Sequence, residues 1–181
     1  MFIMALYQEP FPYILAAVCK KEFFTEGKRM TTNTEKAAAT SHFSLVLETP
    51  PAEPDIAHRH FVSKLAVETD PSDVRLDLQR GQTSFILIDV RSVKDYEECH
   101  ARGAINLPYR KINAETTSGL AKDKAIVVYC WGPGCNASTK GAARLSALGF
   151  RVKEMIGGIE YWRREGGEIE GTLGEKASLV G

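Results

Sequence analysis

Two short runs constrain this chain more than anything else in it: Phe85-Ile86-Leu87-Ile88-Asp89-Val90 and Ala125-Ile126-Val127-Val128-Tyr129. Each has the length of a strand, and neither alternates between apolar and polar residues as a half-exposed strand would. A strand that is apolar on both sides must be covered on both sides, which is the situation of a parallel sheet between layers of helices.

The segments around these runs meet that demand. Asp70-Pro71-Ser72-Asp73 followed by Val74, Leu76 and Leu78 reads as an N-capped helix with proline in its first turn, ended by Gly81. Residues 92–100 are charged and helix-tolerant. Ala104-Ile105-Asn106-Leu107-Pro108 is a short strand stopped by proline. Residues 138–148 carry Ala142, Ala143, Leu145 and Leu148 on one side, with Gly149 placed to end the helix. A last strand spans 152–156, and Gly157-Gly158 turns the chain into Ile159-Glu160-Tyr161-Trp162-Arg163. Alternation of strand and helix over this length predicts an α/β domain of three layers, with a mostly parallel central sheet and right-handed crossovers.

The expected organisation is a tail or linker over residues 1–58, the α/β domain over 59–173 and a C-terminal tail over 174–181. Residues 31–41 are small and polar, and Pro50-Pro51-Ala52-Glu53-Pro54 has linker composition. Phe43-Ser44-Leu45-Val46-Leu47 has the content of a strand but no neighbour to pair with. Met30 is an alternative start. The apolar stretch from Met1 to Cys19 lacks a preceding basic residue, is broken by Glu9, Pro10 and Pro12, and does not read as a secretory signal.

Charge balances at 23 basic against 23 acidic residues among 181, so nothing draws the whole chain to nucleic acid or an anionic membrane. No run approaches the roughly 20 apolar residues of a membrane span. The four cysteines Cys19, Cys99, Cys130 and Cys135 are too few and scattered for a disulfide scaffold, so the expected setting is reducing and cytoplasmic.

Ligands of parallel α/β sheets bind beyond the carboxyl ends of the strands. There the second apolar run opens directly into Cys130-Trp131-Gly132-Pro133-Gly134-Cys135-Asn136-Ala137-Ser138, ahead of a helix. Two glycines and a proline permit a tight curl whose N–H groups, with the helix N-terminus, form an anion nest. A cysteine at its base is expected to have a lowered pKa and to act as a nucleophile. Cys135 is read as a resolving thiol or as loop packing. Half of a metal site is a poor reading, since no second Cys/His pair has suitable spacing. Asp89 and Arg91 are expected to pair and fix the loops near the site. His100 is read as scaffold rather than general base. Trp162 is read as core, and Trp131 as a shield over the site or as packing within the loop.

In order along the chain, Leu87-Ile88-Asp89-Val90-Arg91, Asp95-Tyr96, His100 to Pro108, Val127 to Cys130, Leu148-Gly149-Phe150 and Gly157-Gly158-Ile159 with Trp162 resemble the rhodanese homology family of sulfurtransferases. The resemblance covers about 61–171. It implies a five-stranded parallel sheet flanked by helices, with a cysteine closing the fourth strand that accepts sulfane sulfur from a donor and passes it to a nucleophile. By position that cysteine is Cys130. The implied reaction needs no metal or organic cofactor. Its partners are a thiosulfate or persulfide donor and a thiol acceptor, either of which is a small molecule or a protein.

Against the family pattern the loop is two residues longer, and its arginine position falls on Ala137. Lys140 is the first basic residue after Cys130, so recognition of thiosulfate by a loop cation has no counterpart. Phosphatase chemistry lacks its bidentate arginine for the same reason. The rival expectation is a thiol-redox or regulatory module built on Cys130 and Cys135 with little sulfur transfer.

Overall fold

The computed structural model describes residues 43–181 apart from residue 83. The polar stretch 31–41, Met30, Cys19 and the apolar N-terminus lie outside the described residues. Residues 43–48 belong to a unit of their own, where a turn is closed by the Leu47 N–H on the Ser44 carbonyl, not the strand that their composition suggested.

Residues 49–181 form the second unit. Its elements are α1 (Pro54–Val67), β1 (Glu68–Thr69), α2 (Pro71–Gln79), β2 (Phe85–Asp89), α3 (Val93–Glu98), β3 (His100–Ala101), β4 (Ile105–Asn106), β5 (Ala125–Tyr129), α4 (Ala137–Ala147), β6 (Val152–Met155), α5 (Gly158–Arg164) and β7 (Ile169–Glu170). Two boundaries differ from expectation. The break at 58/59 falls inside α1, because Pro54 starts a helix rather than ending a linker. Residues 174–181 do not trail away: the Arg163 guanidinium donates to the carbonyls of Glu175, Ala177 and Ser178 and ties that segment to α5.

The main sheet has the order β1-β6-β5-β2-β4 with every pairing parallel. β5 is its fourth strand in chain order and is flanked by β6 and β2. A small antiparallel pair, β3 with β7, stands beside it. Side chains of β2 and β5 alternate between two apolar layers. Leu87, Val127 and Tyr129 meet Val74 of α2 and Ile159 and Trp162 of α5. Ile88, Val90, Ile126, Val128 and Cys130 meet Leu145 of α4 and Phe150. That division explains the two unbroken apolar runs, since each side of the sheet has its own layer of helices. Each fully buried Ile, Leu or Val contributes about 1.5–3 kcal/mol.

Local signals set the helix ends, at Asp70 and Gly149 as the sequence indicated. The Asp70 carboxylate accepts the Asp73 N–H at 2.8 Å at the start of α2, and Ser92 accepts the Asp95 N–H at 3.2 Å at the start of α3. α4 stops at Gly149, whose φ of +82° is the left-handed turn a glycine makes without strain. No helix among the described residues is long and apolar enough to cross a membrane.

Candidate functional site

Cys130 follows β5 at the carboxyl edge of the sheet and is 1% exposed. Alternation along the strand points it towards α4, within the same apolar layer as the partly buried Cys135. Its thiol donates to the Cys135 carbonyl at 3.1 Å, and its Sγ lies 3.4 Å from Ser138 Oγ. Ser138 is the second residue of α4, so the helix start faces the sulfur. Ser138 Oγ in turn donates to Glu154 Oε1 at 2.7 Å, and Thr139 Oγ1 donates to the same oxygen at 3.1 Å.

This arrangement corrects one expectation. Burial pushes the Cys130 pKa up, and the Cys135 thiol beside it pushes the same way. The Ser138 hydroxyl and backbone amide pull it down without reversing the direction. The physical reason is visible in the loop. Cys135 N–H is spent on the Gly132 carbonyl in a tight turn at 3.0 Å, so it does not point at the sulfur. The resting sulfur is therefore a protonated donor rather than an anion in a nest.

The loop is held from three sides. Ile159 N–H and Glu160 N–H, at the start of α5, bond to the carbonyls of Cys130 and Trp131, each at 2.9 Å. This approach demands glycine at 158: a Cβ there would sit 2.5 Å from the Cys130 carbonyl oxygen, and φ is +58°. On the second side the Trp131 ring packs under the Arg91 guanidinium, 4.5 Å from the ring centroid. On the third side the chain passes through Asn136, which makes no side-chain cap, into Ala137 and α4.

Asp89 and Arg91 form the expected pair, both buried, with Arg91 Nη2 on Asp89 Oδ2 at 2.6 Å and Nε at 3.1 Å from both oxygens. Although burial opposes the charge, the hydrogen bonds and the field of Asp89 together hold the Arg91 pKa above its ordinary value. Asn106 Nδ2 donates to the carbonyls of Asp89 and Arg91 and fixes the strand end. His100 is held through Nδ1 at the Tyr96 carbonyl, stacks on the Tyr96 ring and lies 3.6 Å from Glu170, which is a scaffold position. Trp162 is core, its Nε1 donating to the Glu168 carbonyl. Among the described residues no group of three or more His, Cys, Asp or Glu side chains is placed to hold a metal ion.

Glu154 and Thr139 were not among the sequence candidates. The signal for Glu154 was a carboxylate within β6, a strand that pairs with β5. Its register partner in β5 is Val128, two residues before Cys130, which brings it to the same sheet edge.

The Rhodanese-like domain family model matches residues 70–165, the span that holds this sheet edge and its loop. The chain belongs to the rhodanese-like domain family. It is 34% identical over 79 residues to a thiosulfate sulfurtransferase, GlpE of Coxiella burnetii, covering 43% of this chain and 71% of that protein. It is 33% identical over 81 residues to a probable molybdopterin-synthase adenylyltransferase of Gracilaria tenuistipitata, covering 42% of this chain and only 23% of that much longer protein. The match to an HTH-type transcriptional regulator of Mycobacterium tuberculosis, Rv0324, likewise spans 35% of that protein. Rhodanese-like domains thus match parts of proteins with quite different names. Among solved structures, the BH2092 protein of Bacillus halodurans is 53% identical with a TM-score of 0.70, covering 71% of this chain and 94% of that one. The rhodanese-like domain of an Anabaena protein is 29% identical with a TM-score of 0.55 over 63% of this chain and 85% of that one.

Proposed function

We propose that the protein is a sulfurtransferase that carries sulfane sulfur as a persulfide on Cys130, within its rhodanese-like domain. The observation that supports this reading best is the placement of Cys130: the residue closes the fourth strand of the main sheet, its sulfur beside the first turn of α4.

In the first half-reaction the Cys130 thiol loses its proton and the thiolate attacks the outer sulfur of a thiosulfate- or persulfide-class donor. A bond forms between Sγ and that sulfur while the donor's own bond to it breaks. Sulfite leaves from thiosulfate, or a thiolate from a persulfide. In the second half-reaction an acceptor thiolate attacks the outer sulfur, the bond to Sγ breaks, and Cys130 returns as thiolate. Ping-pong kinetics follow, because the first product leaves before the acceptor reacts. The Ser138 amide at the start of α4 is the donor best placed to stabilise the anion in both halves. Trp131, Gly132, Pro133, Gly134, Cys135, Asn136 and Ala137 form the loop that receives the outer sulfur. Since Cys130 is buried at rest, the turn Gly132–Cys135 must move outward to admit a donor. No cofactor enters either half, and the setting we assign is the cytoplasm, where thiol acceptors stay reduced.

The test is intact-protein mass spectrometry after incubation with thiosulfate or glutathione persulfide. The wild type and Cys135→Ser are expected to gain one sulfur atom and Cys130→Ser none. Uptake that persists in Cys130→Ser would overturn the reading.

The nearness of Cys135 to Cys130 in one apolar layer favours a second reading, a dithiol that cycles with oxidant. Thiol counts before and after mild oxidation separate the two. A redox pair loses two thiols together without taking up sulfur.

A further inference from the structure

A cavity of about 370 Å³ opens beside the loop, between the turn at Gly132–Asn136, the first turn of α4, the end of β6 and α1. The charged side chains on its wall are Lys64, Glu68 and Glu154. Lys64 Nζ lies 3.5 Å from Glu68 Oε2, so those two compensate each other. Glu154 accepts only hydroxyls, from Ser138 and Thr139, and makes no ion pair among the described residues.

The basic side chains of the neighbouring elements are engaged elsewhere. Arg151, just before β6, donates to the Asp123 carbonyl. Arg91 is turned to Asp89. Lys153, beside Glu154 in β6, donates to the carbonyls of Leu65 and Glu68. Arg144 of α4 donates to the Tyr109 carbonyl, and Lys140 lies over the Tyr109 ring. Two hydrogen-bond steps, of 3.4 Å and 2.7 Å, separate Cys130 Sγ from the Glu154 carboxylate.

On the reading that Cys130 carries sulfur, we infer that Glu154 is a specificity-determining residue that slows loading from dianionic sulfur donors such as thiosulfate relative to donors of lower negative charge. Ser138, which touches Sγ, and Glu154 both line this cavity, so a donor that reaches the sulfur from this side brings its charged end into the field of an uncompensated carboxylate. Each further negative charge on the donor lowers its reaction rate roughly threefold to tenfold at such separations in a partly wet cavity. Two donors isolate this effect because they present the same sulfane sulfur. Thiosulfate, a dianion, leaves sulfite, and methanethiosulfonate, a monoanion, leaves methanesulfinate. Both deliver one sulfur to the Cys130 thiolate with balanced charge.

The test compares wild type with Glu154→Gln, which keeps an oxygen acceptor for Ser138 and Thr139 and removes the charge. Persulfide formation at Cys130 from thiosulfate is expected to rise roughly threefold to tenfold more than formation from methanethiosulfonate. Any general change in Cys130 reactivity cancels in that ratio. An equal change with both donors would overturn the inference.

A second measurement needs no sulfur transfer. Cys130 is alkylated with neutral iodoacetamide and with anionic iodoacetate, and the modified residue is read by tandem mass spectrometry. The preference for iodoacetamide over iodoacetate is expected to fall about threefold or more in Glu154→Gln. An unchanged preference would overturn the role of Glu154. If neither these two donors nor glutathione persulfide loads Cys130 in either protein, the sulfurtransferase reading fails, and the alkylation ratio still decides whether Glu154 sets the charge of the site.

Discussion

The Sγ of Cys130 lies 3.1 Å from the carbonyl oxygen of Cys135, and the thiol donates to it. A carbonyl accepts a proton and repels an anion, so this contact belongs to the protonated state, and burial favours the same state. The sign for stability follows. An unfolded thiol ionises near about pH 8.5, and the folded one only at higher pH. Below the unfolded value both states hold the proton, and the stabilisation of the neutral thiol is fully present. As pH rises between the two values only the folded state still holds it, so stability falls. Denaturant titrations are expected to show the unfolding free energy of the wild type falling as pH rises past the unfolded thiol value of about 8.5, with a smaller fall in Cys130→Ser. Equal slopes would show that the buried thiol is not a source of the pH dependence. Cys99, Tyr96 and Tyr129, whose pKa values burial also raises, act with the same sign.

The Asp89–Arg91 pair is buried and closed by hydrogen bonds from Asn106 to the flanking carbonyls and from Arg91 to the Cys99 carbonyl. Removing one partner strands the other charge in the interior. Asp89→Ala is expected to cost about 3–5 kcal/mol in chemical denaturation. Replacing both residues by apolar ones of similar volume should recover a large part of that loss. Because Arg91 also covers the Trp131 ring, either single variant should expose Trp131 and shift its fluorescence to longer wavelength. A double variant as unstable as Asp89→Ala would mean that the pair is more than self-compensating.

The layers of the fold were legible because both central strands lack alternation, and a strand like Ile126–Tyr129 has nowhere to go but between two helical layers. The position of Cys130 was legible for the same reason, since β5 ends where the Gly-Pro-Gly segment begins. Its ionisation was not. The sequence shows that amides are available in the loop, but not that Cys135 N–H closes a turn on Gly132 and leaves a carbonyl, rather than a donor, beside the sulfur. Glu154 escaped notice because it is 24 residues from Cys130 in sequence, and only the register of β6 on β5 brings the two together. The helix α1 was hidden by its composition: proline at 54 looks like a linker until the following residues are seen to be helical.

Gly158 lies where the start of α5 meets the backbone of Cys130 and Trp131. A methyl group there would overlap the Cys130 and Trp131 backbone, with its nearest neighbour at 2.5 Å, and the residue already has φ of +58°. Both effects oppose any side chain, and neither is relieved by rotating a flexible neighbour. Gly158→Ala is expected to destabilise the protein by about 1–3 kcal/mol or more. Because the loop must shift to make room, sulfur loading at Cys130 should fall out of proportion to the loss of stability. Loading measured at low temperature, where the variant stays folded, checks this. Full loading there would show that the loop tolerates the displacement.

Ser138 has one hydroxyl proton, and at rest Glu154 holds it at 2.7 Å. The hydroxyl can help the Cys130 anion only by turning from the carboxylate to the sulfur 3.4 Å away. When it turns, a charge-assisted hydrogen bond to the Glu154 carboxylate is exchanged for one to the thiolate, while Thr139 Oγ1 still donates to the carboxylate. Ser138→Ala removes that donor and leaves the helix-end amide alone. Alkylation of Cys130 by iodoacetamide at neutral pH is therefore expected to slow about threefold to tenfold, with the pH–rate profile displaced to higher pH. The rate at high pH, where every thiol is ionised, should return close to that of the wild type. Ser138→Thr keeps the hydroxyl and should restore the neutral-pH rate. A variant that is slow at every pH, and is not rescued by threonine, would mean that Ser138 shapes the loop rather than stabilising the anion.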